Sequence, residues 1–251
     1  MNFESIDEVK EYVCEYTDKK NCENENVLQG IDELILEVIE LRSIIYAFQE
    51  TETNINIFKD KVFYSQWLNG AVYTIFCTLG KLVSKDNRDR SLRQLWDQTA
   101  QLLSEENYFT REELNYINRQ LNISSGKFTN GNSKAILFRN KVIAHNEQYP
   151  KIEWADVDSD FRVLIRMWSL LVSSSTMSFL SFRTFDQAFD GINNFFQQSE
   201  LSKLKEKHKE YQNKVIEWSS SYAHNNFPDK GRHIFSKPKM STTIKIYDID
   251  T

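Results

Sequence analysis

One stretch of the chain carries side chains whose types and spacing could do chemistry: Arg139-Asn140-Lys141-Val142-Ile143-Ala144-His145-Asn146-Glu147. Arginine grips phosphate through a planar fork of N–H donors. Histidine takes up and releases a proton near neutral pH. An asparagine beside the arginine offers a neutral donor and acceptor for a phosphate, a ribose or the histidine itself. These are the groups needed to cleave RNA without a metal. A base removes the 2′-hydroxyl proton and the oxygen attacks the adjacent phosphorus. Cations steady the charge on the crowded phosphate, and an acid protonates the leaving 5′-oxygen. DNA lacks that hydroxyl and would not react. A straight α-helix would set Arg139 and His145 about 120° apart and about 9 Å along its axis. The motif holds only one histidine where two proton carriers are wanted. A two-fold homodimer would supply both missing parts. The same residues also allow a bland reading, a salt-bridged helix surface with Glu147 and Asp156 as partners.

Other candidates fall away. Asp156-Val157-Asp158-Ser159-Asp160 opens like a calcium loop, but Phe161 stands where glycine is required and Met167 where glutamate is required. An acidic helix start, favoured by the helix dipole, is expected instead. His208, His224 and His233 are not spaced as metal ligands and read as surface or tail residues. Cys14, Cys22 and Cys77 form no C-x-x-C pair, and Cys77 in Ile75-Phe76-Cys77-Thr78-Leu79 reads as a small core residue. No glycine-rich phosphate loop and no nucleophile elbow occurs. No metal and no cofactor is expected. The net charge of -5 argues against coating nucleic acid by bulk charge, so any grip on RNA must be local.

The elements that would position these groups are helices. Only seven glycines and three prolines occur in 251 residues. Sandwiches, barrels and doubly wound sheets need many more turn residues, so an all-α architecture is predicted. Ser5 caps a first helix carrying Ile6, Val9, Val13 and Tyr16. Further helices are predicted over residues 27–49 and 57–84, the second followed by the charged loop Lys85 to Arg90. Ser91 caps the next, and Thr110-Arg111-Glu112-Glu113 is a capping box. A polar loop over 122–132 leads to a helix over 133–149 that bears the motif. A helix from Asp156, apolar on several sides, should be central. A Lys/Glu-rich helix over 202–219 follows, with a thin stripe of Leu204, Tyr211, Val215 and Trp218. Thr243 to Tyr247 alternates like an edge strand. This divides the chain into an N-terminal helix (1–24), a bundle (25–183) and a C-terminal helical extension and tail (184–251). The polar start and the odd number of cysteines suit a reducing cytoplasmic setting. Leu164 to Phe182 reads as a core helix rather than a membrane span.

The motif resembles the signature of the HEPN superfamily (higher eukaryotes and prokaryotes nucleotide-binding): arginine, a polar residue, then histidine after a gap of four to six. Arg139, Asn140 and His145 match with a gap of five. Leu137 to His145, and upstream Leu79-Gly80-Lys81-Leu82-Val83-Ser84-Lys85-Asp86-Asn87-Arg88-Asp89-Arg90-Ser91-Leu92-Arg93-Gln94-Leu95, resemble its abortive-infection U-type branch. The resemblance covers about Val27 to Phe182. It implies a dimeric, antiparallel helical bundle and a metal-independent endoribonuclease, acting as a toxin or antiviral defence effector and partnered by an antitoxin or regulatory protein. Arg139 and His145 would be catalytic and Asn140 would assist. Lys134 and Lys141 would contact RNA, whereas Lys230, Arg232, Lys237, Lys239 and Lys245 in the tail would be solvated. In the branch paired with nucleotidyltransferases a modifiable tyrosine follows two residues after the histidine. Glu147 stands there in this chain, so the resemblance does not extend to that regulation. Two other readings remain. One is a non-catalytic module binding a nucleotide or protein. The other is a structural adaptor using an aromatic surface of Phe185, Phe189, Phe195 and Phe196.

Overall fold

The computed structural model describes residues 3–17, 30–51, 62–129, 131–145, 151–173 and 182–224. Among them the protein is all-α. The longer helices are α1 (Ile6–Thr17), α2 (Ile31–Glu50), α3 (Val62–Leu82), α4 (Leu92–Glu105), α5 (Arg111–Asn122), α7 (Trp154–Ser173) and α9 (Gln198–His224). Two short ones, α6 (Lys134–Phe138) and α8 (Phe185–Ala188), lie between them. No described helix is long and apolar enough to cross a membrane. Thr243 to Tyr247 and the tail lysines lie outside the described residues.

Local chemistry explains most of the starts. The Ser5 hydroxyl accepts from the Glu8 amide, Ser91 from Gln94, and Thr110 from Glu113, whose carboxylate accepts from the Thr110 amide in return. Each cap satisfies amides that have no intrahelical acceptor. The polar loop after α5 folds back through the Phe128 amide to the Gln120 carbonyl at 2.9 Å.

α7 is the central helix. Val157, Phe161, Leu164, Ile165, Met167, Trp168 and Leu171 are buried on it, and it packs on α1, α4, α5, α6 and α9. α2 and α9 form the most extensive contact between helices among the described residues. The main core runs continuously from Val9 and Val13 on α1 to Tyr211, Val215 and Trp218 on α9. Charged groups are buried in it. Arg42 of α2 grips Asp158 of α7 through two hydrogen bonds of 2.9 and 2.8 Å, and the Tyr211 hydroxyl donates to the same carboxylate at 2.8 Å.

Asp156 stands in the first turn of α7, as expected of an acidic helix start. Asp158 and Asp160 lie deeper in the same helix. Both are buried, and each is held by a cation: Arg42 for the first, Lys127 for the second. His208 is not a surface residue. It is 1% exposed, with the rings of Phe185 and Phe189 edge-on at 6.0 and 5.7 Å. Cys77 is not in the core. It is exposed on the outer stripe of α3, with Gln66, Gly70, Tyr73 and Lys81. The aromatic surface is an interior: Phe189 and Phe196 are buried with Ile44, Ala47 and Leu204 in a second core, Phe185 packs on it, and Phe195 alone of the four is exposed.

Candidate active site at a π turn

The motif sits where α6 ends. Ser133 caps α6 by accepting from the Ile136 amide at 2.9 Å, and its hydroxyl donates to the Asp160 carboxylate on α7. Phe138 anchors the other end, its ring centroid 4.9 Å from that of Phe76 on α3. The backbone then widens. Residues Arg139–Ile143 form a π turn, closed by the Ala144 amide on the Arg139 carbonyl at 2.9 Å.

This corrects the expectation of a continuous α-helix through the motif, and the reason lies in helix phase. At about 100° per residue, His145 would fall seven residues after Phe138, within about 20° of the same inward face. The extra residue of a π turn shifts that phase by about one step. Val142 and Ile143 pack partly buried against the core, while Ala144 and His145 are exposed. The helical segment ends at Ile143, and His145 lies just past it, exposed. π turns occur frequently at functional sites.

Arg139 is half-buried, and its side chain lies across α3 at Gly80. Its Nη1 donates to Asn140 Oδ1 at 2.9 Å. Among the described residues Arg139 has no carboxylate partner, and His145 has no hydrogen-bond partner. The bland ion-pair reading fails for Asp156, which pairs with Lys134 at 3.0 Å; Glu147 lies outside the described residues. Lys134 is thus exposed but engaged, and Lys141 is half-buried on the π turn. Asn140 is exposed and serves Arg139 first.

α3 contributes residues that the motif alone did not reveal. Gly80 forms the floor under Arg139. Lys81, next to it, is exposed and has no ion pair among the described residues. The sequence signal for both was the Leu79-Gly80-Lys81 segment, which matched the resemblance but carried no assigned role. Among the described residues no group of histidine, cysteine and carboxylate side chains could hold a metal ion. Asp160, behind the α6 cap, is pushed up to about 6, first by burial, against the opposing pull of Lys127 and Ser133.

Compared with protein-family models, curated proteins and solved structures, the chain matches none.

The arrangement can bind an anion and move a proton. An arginine held by a neutral amide keeps its full charge for an external ligand. An exposed imidazole six residues further along the chain, just past the π turn, can serve as acid or base.

Proposed function

We propose that this protein is a metal-independent endoribonuclease of the HEPN type, serving as a toxin or antiviral defence effector. The observation that carries the reading is Arg139. It is fixed by Asn140 and the floor of α3, it has no carboxylate partner among the described residues, and the exposed His145 follows just past the π turn that Arg139 opens. In a structural surface an arginine placed between elements is generally paired. This one is held ready for an anion brought from outside.

In this mechanism His145 exchanges the proton of the 2′-hydroxyl or of the leaving 5′-oxygen. Arg139 binds the phosphate as its charge grows, and Asn140 keeps the guanidinium in place. Lys81 adds local positive charge in a protein of net charge -5. One imidazole cannot act as base and acid at once. The second comes from a second copy in a two-fold dimer.

The test is cleavage of a broad RNA panel in EDTA, with product ends identified. The natural protein should leave 2′,3′-cyclic phosphate ends. His145→Ala and Arg139→Ala should each lower the rate by roughly 100-fold or more. Activity abolished by chelation points to a metal enzyme and overturns the mechanism. A folded dimer that cleaves nothing, with both variants behaving like the natural protein in nucleotide binding and stability, overturns it in favour of a non-catalytic module.

A further inference from the structure

Resting on that reading, we propose that Gly80 is a positioning residue: the missing side chain on α3 is the notch in which the Arg139 guanidinium is seated. A β-carbon at position 80 would stand 2.9 Å from Arg139 Nε, 3.2 Å from Cδ and 3.3 Å from Cζ. Ordinary β-carbons do not approach that closely, so the arginine lies where only a glycine permits it.

The backbone gives no other reason for this glycine. Gly80 is inside α3, two residues before its last residue Leu82, with no positive φ. A helix-interior glycine destabilises the folded state relative to alanine. The same helix holds a natural comparison. A β-carbon at Gly70 would meet nothing within 4 Å. Of these two glycines on α3, only Gly80 has the motif against it.

The notch is in register with the rest of the site. Phe76 and Gly80 are four residues apart and so face the same way. Phe138 packs on Phe76, and Arg139 follows on Gly80. The aromatic pair sets where the motif meets α3, and the glycine one turn on sets the height of the guanidinium. Asn140 then holds Nη1. Two anchors leave the remaining edge of the fork to the phosphate. Catalysis is sensitive to placement at this scale, where a shift of about 1 Å can cost roughly 100-fold.

The atoms that an added β-carbon would meet belong to a flexible side chain, so Gly80→Ala should fold. The experiment compares full-length Gly80→Ala with Gly70→Ala. The first readout needs no substrate: the 15N–1H heteronuclear NOE of the Arg139 side-chain Nε–H, its signal assigned by its loss in Arg139→Lys. The signal should be rigid in the natural protein and in Gly70→Ala, and mobile or shifted in Gly80→Ala. The second readout is RNA cleavage. In Gly80→Ala kcat should fall by roughly ten- to 100-fold with KM little changed. The melting temperature of both variants should hold or rise. In an Arg139→Lys background, Gly80→Ala should cost much less than it does alone.

An unchanged Nε–H signal in Gly80→Ala overturns the proposal. So does cleavage equal to that of Gly70→Ala when Arg139→Ala has abolished it, and so does a loss of activity that tracks a lower melting temperature. If Arg139→Ala cleaves like the natural protein, the ribonuclease reading of this site fails instead, and the NOE comparison still decides whether the notch seats the arginine.

Discussion

Asn140 is the residue whose chemistry bears most directly on how Arg139 is used. Its Oδ1 accepts from Nη1 at 2.9 Å while carrying no charge. A carboxylate in the same place would form an ion pair and neutralise the guanidinium before any phosphate arrived. Asn140→Asp is therefore expected to be worse than Asn140→Ala. The alanine variant should lose roughly tenfold in kcat/KM, by freeing the arginine. The aspartate variant should lose roughly 100-fold and also bind RNA more weakly. Cleavage rates and an RNA-binding titration separate the two. If both variants behave alike, the amide is not protecting a charge. At this scale the candidate residues were legible, because arginine, asparagine and histidine stand at a recognisable spacing. Gly80 was not, since a residue defined by an absent side chain shows its purpose only when a neighbour fills the space.

Helix α6 has five residues, too few to be stable alone, so its shape is imposed by what holds its ends. Ser133 is the crucial contact. It caps the helix and ties it to Asp160 on α7, and the Lys127 ammonium stands 3.4 Å from that carboxylate. Ser133→Ala removes the cap and one partner of a buried acid. A cost of about 1–2 kcal/mol is expected, seen as a fall of about 2–8 °C in melting temperature, with cleavage reduced as the motif loosens. A melt superimposable on that of the natural protein would show that Phe138 on Phe76 suffices. Caps were legible in the sequence because they depend on residues three apart; Ser5, Ser91 and Thr110 all formed as expected. The π turn was not legible, because the choice between α and π hydrogen bonding is made by the packing of Val142 and Ile143 against distant helices. His208 lay between these cases. The stripe on α9 skips from Leu204 to Tyr211, and His208 fills the missing turn. Its position was readable, but its polarity hid it. Cys77 misled in the opposite sense, since α3 is apolar enough that its outward stripe resembles the inward ones.

Across the whole molecule, pH acts on buried groups outside the motif itself, and two of them oppose one another. His208 is buried against aromatic rings with no hydrogen-bond partner for Nε2 among the described residues, and burial lowers it from 6.5 to about 4. The unfolded chain therefore takes up this proton first as pH falls. The stability owed to a neutral His208 is fully present above about 6.5 and is lost as pH drops towards 4, by at most about 3 kcal/mol. Asp160 is raised by burial from 3.8 to about 6, so here the unfolded chain gives up its proton first as pH rises. Its contribution is fully present below about 3.8 and is lost as pH climbs through 6, by a similar amount. The windows overlap and the signs are opposite, so the natural protein should show a nearly flat stability between about pH 4 and 6.5. Glu210 is pushed up by burial, but hydrogen bonds from Lys207, Tyr46 and Lys214 outweigh this and hold it near 2, so its loss of stability falls below about pH 4.5. Removing one member of the opposed pair should expose the other. In His208→Leu, which fits the aromatic pocket without a titrating group, stability should rise as pH falls from 6.5 to 4.5. In Asp160→Asn, which keeps an acceptor for Ser133, it should fall over the same range. Chemical denaturation at half-unit pH steps reads both slopes. Variants that titrate like the natural protein would show that neither group carries the pH dependence of this fold.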